Sequence, residues 1–143
     1  MNRLLTRANY VSDHTVFIAS WLRELKLWRK ESPFSVILNG ADQTIFRPNE
    51  KFKWSEGKPL KLVTHHWGGN RKKGADIYEL IDNFLDMPVW KNKLEFTYVG
   101  NVPDGCNLRN TRVLPPLSGG ELAQELASHH VYVTGSINEP AGM

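Results

Sequence analysis

Cysteine is almost missing from this chain. Cys106 is the single one in 143 residues, so no disulfide can form within it, which fits a reducing, cytoplasmic setting. Long apolar runs are missing too. The uninterrupted ones span only a few residues, too few for a membrane-spanning helix. Leu4-Leu5, between Arg3 and Arg7, is too short for the core of a secretory leader. Charge of one sign is scarce: the net charge of +3 leans toward anionic ligands without the basic stripe of a nucleic-acid binder. The phosphate-loop pattern G-x-x-x-x-G-K-[ST] and the dinucleotide pattern G-x-G-x-x-G are absent, and no acidic metal motif appears. What remains, 41% apolar and 23% charged residues, describes an ordinary globular chain long enough for one domain or parts of two.

Short β-branched and apolar runs alternate with helical patterns. Strands are predicted at 15–19, 34–38, 60–65, 94–99, 112–114 and 131–133. After the first strand, Ser20 is placed to cap a helix carrying Leu22, Leu25 and Trp28, broken by Ser32-Pro33. A second helix shows an apolar stripe of Ile77, Leu80, Ile81, Phe84 and Leu85. A third opens at Ser118-Gly119-Gly120-Glu121 with capping-box spacing and carries Leu122, Ala123, Leu126 and Ala127 on one side. This alternation predicts an α/β fold, a parallel sheet wrapped by helices. Residues 41–59 lack periodicity and carry Pro48, Gly57 and Pro59, so they read as a connector in which Phe46 and Trp54 act as packing anchors. Residues 101–111 are too few and too rich in Pro and Gly for a crossover helix. Either that crossover is a bare loop, or the two strands it joins are not parallel neighbours.

Two segments carry candidate chemistry. Gly68-Gly69-Asn70-Arg71-Lys72-Lys73-Gly74 lies between a strand and a helix, where glycines admit a phosphate, helix amides point at it and basic side chains add charge. The same residues suit a solvated basic turn, and the residues alone leave both readings open. Glu139, in a Pro- and Gly-bearing loop after the last strand, is placed to accept sugar hydroxyls or steady positive charge; a surface carboxylate is the other reading. His65-His66 does not make a metal site, since adjacent strand residues face opposite ways and no third ligand has suitable spacing; one of the pair is expected at the cleft. His129-His130 is read as a helix cap. Cys106 has no histidine near it in sequence and receives no nucleophilic role.

Four motifs in order then carry a resemblance. Val36-Ile37-Leu38-Asn39-Gly40-Ala41-Asp42 with Phe46-Arg47-Pro48 resembles the "V-I-x-N-G-V-D…F-x-P" hinge of retaining nucleotide-sugar glycosyltransferases. Lys73-Gly74-Ala75-Asp76 resembles their "K-G-x-D", Tyr98-Val99-Gly100 their "x-V-G", and Ser136 to Gly142 their "S-x-x-E-P-x-G". The family is the group 1 or family 4 type of the glycosyltransferase-B architecture, with two facing Rossmann-like domains and a Glu, seven residues, Glu signature.

The resemblance implies a division of the chain. Residues 1–39 would be a remnant of the acceptor domain, 40–59 the interdomain hinge, and 60–143 a Rossmann-like donor domain truncated at its end. It implies Glu139 as the catalytic carboxylate and Lys73 as the diphosphate contact, with Arg71 or Lys72 replacing a displaced family arginine. Gly68, Gly69, Gly100, Leu114, Pro115, Pro140, Ala141 and Gly142 would complete the donor site. A second glutamate is expected eight residues after Glu139, beyond the chain, and the chain alone is expected not to turn over a sugar nucleotide. The implied partners are a nucleoside-diphosphate sugar and a sugar, lipid or polysaccharide acceptor. No nucleic acid, cofactor or metal is expected. The setting would be cytoplasmic, with peripheral membrane contact in the whole protein. A non-catalytic nucleotide-binding module, or another sugar-nucleotide enzyme such as an epimerase, is the alternative.

Overall fold

The computed structural model describes residues 7, 10–25, 28–29, 31–49 and 52–137, which fall into two compact units dividing between Ala41 and Asp42. In the first unit, β1 (Thr15–Phe17) pairs in parallel with β2 (Phe34–Val36), Thr15 opposite Phe34. Phe17 is buried, with Trp28 edge-on at 4.9 Å and Phe34 at 6.1 Å between ring centres. The expected helix after β1 is only a 3-10 turn, Ser20–Glu24. Ala19, and not Ser20, occupies the N-cap position, and Leu25 is already extended. Trp21 and Leu25 stay 42% and 39% exposed, and short helices depend on burying such a face.

The second unit is a four-stranded parallel sheet in the order β5-β4-β3-β6. Its strands are β3 (Leu60–His66), β4 (Leu94–Gly100), β5 (Arg112–Leu114) and β6 (Val131–Tyr132). Leu60 lies opposite Leu94, Thr97 opposite Arg112, and Leu62 opposite Val131. Alternating side chains of β3 and β4 feed two cores. Val63 and Val99 pack with Leu122 of helix α2 (Gly119–Ala127), and Phe46 of the connector closes over this cluster. Phe96 and Tyr98 pack with Tyr78 of helix α1 (Ala75–Asp86), joined by Leu62, Ile81 and Leu85. A parallel sheet buried on both faces needs near-continuous apolar strands, and β4 supplies them. Among the described residues no helix is long and apolar enough to cross a membrane.

Helix α1 is turned relative to its expected stripe. Ile77 and Leu80 remain 44% and 48% exposed, while Ala75, Tyr78 and Asp82 take the buried face with Ile81 and Leu85 beside them. A count of apolar positions misses Tyr78 and Asp82 because both are polar at the tip, and here both tips are satisfied. Asp82 accepts bonds from the backbone N–H groups of Arg109, Asn110 and Thr111 and from the Thr111 hydroxyl at 2.6–3.1 Å. That carboxylate organises the end of the 101–111 crossover, which is a bare loop joining parallel neighbours β4 and β5. The box at Ser118 does not form either: Ser118 occupies the N-cap of α2 but its side chain makes no capping bond. Elsewhere in the connector, Asp42 accepts from Thr44 N–H and hydroxyl, and the Trp54 indole donates to Lys58 O at 2.9 Å.

Candidate functional site

The strand order sets the position of the site. From β3 the chain passes through α1 to β4 and on to β5, then returns through α2 to β6 on the other flank of β3. The strand order thus reverses at β3, with β4 on one flank and β6 on the other, and a reversal of this kind opens a crevice beyond the carboxyl ends of the strands. The loops there are 67–74 and 133–137. They were singled out separately by sequence, and the fold brings them together.

Their meeting is tight. Gly74 has φ +102° and closes a 3-10 turn over Arg71–Lys73 while opening α1. A Cβ on Gly74 would lie 2.7 Å from the Gly135 Cα, and one on Gly135 would lie 3.1 Å from the Gly74 Cα. Ile137 N–H donates to Lys72 O at 3.0 Å, and Gly135 N–H donates to the Tyr78 hydroxyl at 3.1 Å. That hydroxyl also lies 2.6 Å from His66 Nε2. His66 is therefore buried against α1, and not at a cleft as one histidine of the pair was expected to be. His65, on the opposite face of β3, is half-buried, with Nε2 sealed from solvent and without a hydrogen-bond partner. Burial pushes its pKa down. Sequence patterning does not find the Tyr78–Gly135 contact, because the two residues are 57 positions apart.

The basic residues are not equivalent. Arg71 donates to Asp76 at 2.6 Å and to Glu79 at 3.1 Å, and these bonds raise its pKa. Glu79 in turn accepts from Asn107 N–H at 2.9 Å, and this bond and Arg71 hold its pKa low. Arg71 thus braces the loop after β3 to α1, whose Glu79 reaches the loop after β4. Asn70 caps the 3-10 turn by accepting from Lys72 N–H. The Lys73 side chain is half-buried at the start of α1. Gly68 and Gly69 are exposed and open the crevice beside Trp67.

Gly100, at the end of β4, has φ +129°, and a Cβ there would fall 1.8 Å from His66 O. Glycine at this position lets β3 and β4 finish side by side. Burial pushes the neighbouring Tyr98 hydroxyl up to about 12, so it stays protonated and donates to Asn101 O at 3.1 Å. Leu114 ends β5 and packs into the α2-side core, and Pro115 is exposed just beyond it. Glu139, Pro140, Ala141 and Gly142 lie outside the described residues.

Groups away from the crevice have structural work. His129 Nδ1 meets Glu125 O at 2.8 Å, as a helix cap does, and its Nε2 lies 2.9 Å from the Thr97 hydroxyl. His130 Nδ1 accepts from Lys61 N–H, and its ring stacks on Phe52. Burial pushes the Cys106 thiol up, which disfavours the thiolate a nucleophile would need. Among the described residues no group of three or more His, Cys, Asp or Glu is placed to hold a metal ion. The chain matches no known protein family model, no curated protein and no solved structure.

Proposed function

We propose that this chain is the donor-binding part of a retaining nucleotide-sugar glycosyltransferase of the glycosyltransferase-B type. In this reading the loop 68–74 takes the donor diphosphate and Glu139 meets the sugar. One observation carries it: the basic glycine loop and the segment leading to Glu139 are hydrogen-bonded together, Ile137 N–H to Lys72 O, at the switch point of a parallel sheet. The basic glycine loop and the backbone at Ile137 thus lie where such sheets hold ligands.

The chemistry follows from the charge that must be handled. As the bond from the anomeric carbon to the diphosphate breaks, negative charge gathers on the leaving oxygens and positive charge on the sugar ring. Lys73 and the positive N-terminal end of α1 are assigned to the former. A carboxylate at Glu139 would steady the latter and orient the sugar. Arg71 is assigned to bracing and not to the diphosphate, because Asp76 and Glu79 already occupy its guanidinium. Residues 1–39 belong, in this reading, to the acceptor side.

Calorimetric titration of the chain with UDP and GDP tests the proposal. Lys73→Ala is expected to weaken binding by about 1.5–3 kcal/mol, the worth of a charge-assisted contact. Added salt should weaken the parent further. Equal affinity of parent and variant would return loop 68–74 to a solvated turn.

A further inference from the structure

Tyr78 has a packing duty and a second one that packing does not require. Its ring is 1% exposed and lies against Phe96 and Tyr98, which a phenylalanine ring would do as well. The hydroxyl meets Gly135 N–H at 3.1 Å and His66 Nε2 at 2.6 Å. What each atom can do fixes the direction of these bonds. The Gly135 amide only donates, so the phenol oxygen accepts there and turns its own proton to His66 Nε2. His66 Nε2 is then an acceptor, and the neutral ring carries its proton on Nδ1. Thr64 Oγ1 lies 3.2 Å from the same Nε2, on the buried side of β3.

Gly135 begins a lightly held segment. β6 pairs with β3 over two residues, and beyond it the backbone bonds run from Val133 N–H to Val63 O and from Ile137 N–H to Lys72 O. The Tyr78 hydroxyl takes the amide between them. That segment in turn holds both neighbours of Lys73. Ile137 N–H bonds Lys72 O at 3.0 Å, and Gly135 lies so close to Gly74 that a Cβ on Gly74 would fall 2.7 Å from its Cα.

We propose that Tyr78 is a positioning residue of the diphosphate site. Its hydroxyl, oriented by His66, keeps the loop after β6 seated on loop 68–74 and so holds Lys73 ready for the ligand. This rests on the diphosphate reading of that loop given above and adds the residue that pre-organises it. A seated loop binds without first being ordered, whereas a loop seated part of the time binds in proportion to the seated fraction.

The test compares the full chain with Tyr78→Phe and with Thr97→Val, each verified by far-UV circular dichroism. Thr97→Val removes another buried hydroxyl, the one 2.9 Å from His129 Nε2, away from the crevice. Tyr78→Phe should bind inorganic pyrophosphate and UDP roughly three- to tenfold more weakly, the worth of one hydrogen bond, and exchange the Gly135 amide faster. Thr97→Val should match the parent in both. Nitrogen-15 spectra of the parent should show His66 protonated on Nδ1, and pyrophosphate should slow Gly135 exchange in the parent further. Unchanged affinity in Tyr78→Phe overturns the positioning role, and so does an equal loss in Thr97→Val, which would make it a matter of general stability. A loss confined to UDP also overturns it, since the effect would then lie outside the Lys73 loop. A His66 proton on Nε2, or Gly135 exchange indifferent to pyrophosphate, overturns it from the parent alone, whether or not Tyr78→Phe folds. Failure of the parent to bind either probe overturns the diphosphate reading, and the positioning role with it.

Discussion

Asp82 fastens its helix to the end of the loop between β4 and β5. It is 2% exposed and gathers three consecutive backbone N–H groups and a hydroxyl. Its removal strands those donors in a buried setting, so Asp82→Ala should cost roughly 3 kcal/mol or more in urea denaturation, and Asp82→Asn, which keeps one acceptor oxygen, less. His65 supplies a pH dependence of known sign. Burial lowers its pKa from 6.5, so as pH falls the unfolded chain binds the proton first. Its contribution is therefore complete above pH 6.5 and is lost as pH falls through the folded-state pKa. The melting temperature should start to drop below that pH, and His65→Gln should flatten this part of the profile. Glu79, also held low, acts in the same direction but only below its ordinary value of 4.5.

Between elements, the decisive contacts are made by backbone at glycines. Gly74 and Gly135 touch because neither carries a Cβ, and Gly74 also needs a positive φ. Gly74→Ala should therefore destabilise the fold by about 1–3 kcal/mol and speed amide exchange at Gly135 and Ile137, whose N–H groups hold the two loops together. Gly68→Ala is the control: with open space around it and no positive φ, it should change stability by less than about 0.5 kcal/mol. Equal effects from the two substitutions would deny the close approach any part in docking the loop after β6.

At the scale of the molecule, the two units differ in self-sufficiency. The unit of residues 42–137 has a core on each face of its sheet. Among the described residues the other unit shows one pair of short parallel strands, and a two-stranded sheet is marginal by itself in water. A polypeptide spanning 42–137 should unfold in a single cooperative thermal transition. A broad, non-cooperative melt would mean that its cores depend on the rest of the chain.

Local pattern was enough for much of this protein. Strands β3, β4 and β5 follow from short β-branched runs with turn residues at their ends, and α2 from an apolar face that repeats every turn. The parallel α/β class follows from their alternation, since each of these signals lies within a few residues of chain. The sequence also marked loop 68–74 and the ending after β6 as chemically interesting. It could not bring them together, because strand order is decided by long-range packing. The turning of α1 toward Tyr78 and Asp82, and the fastening of Gly135 to Tyr78, were likewise settled only in three dimensions. Polar tips look like surface groups in a sequence; whether they can be buried depends on partners 27 to 57 residues away, and only the folded chain supplies those partners.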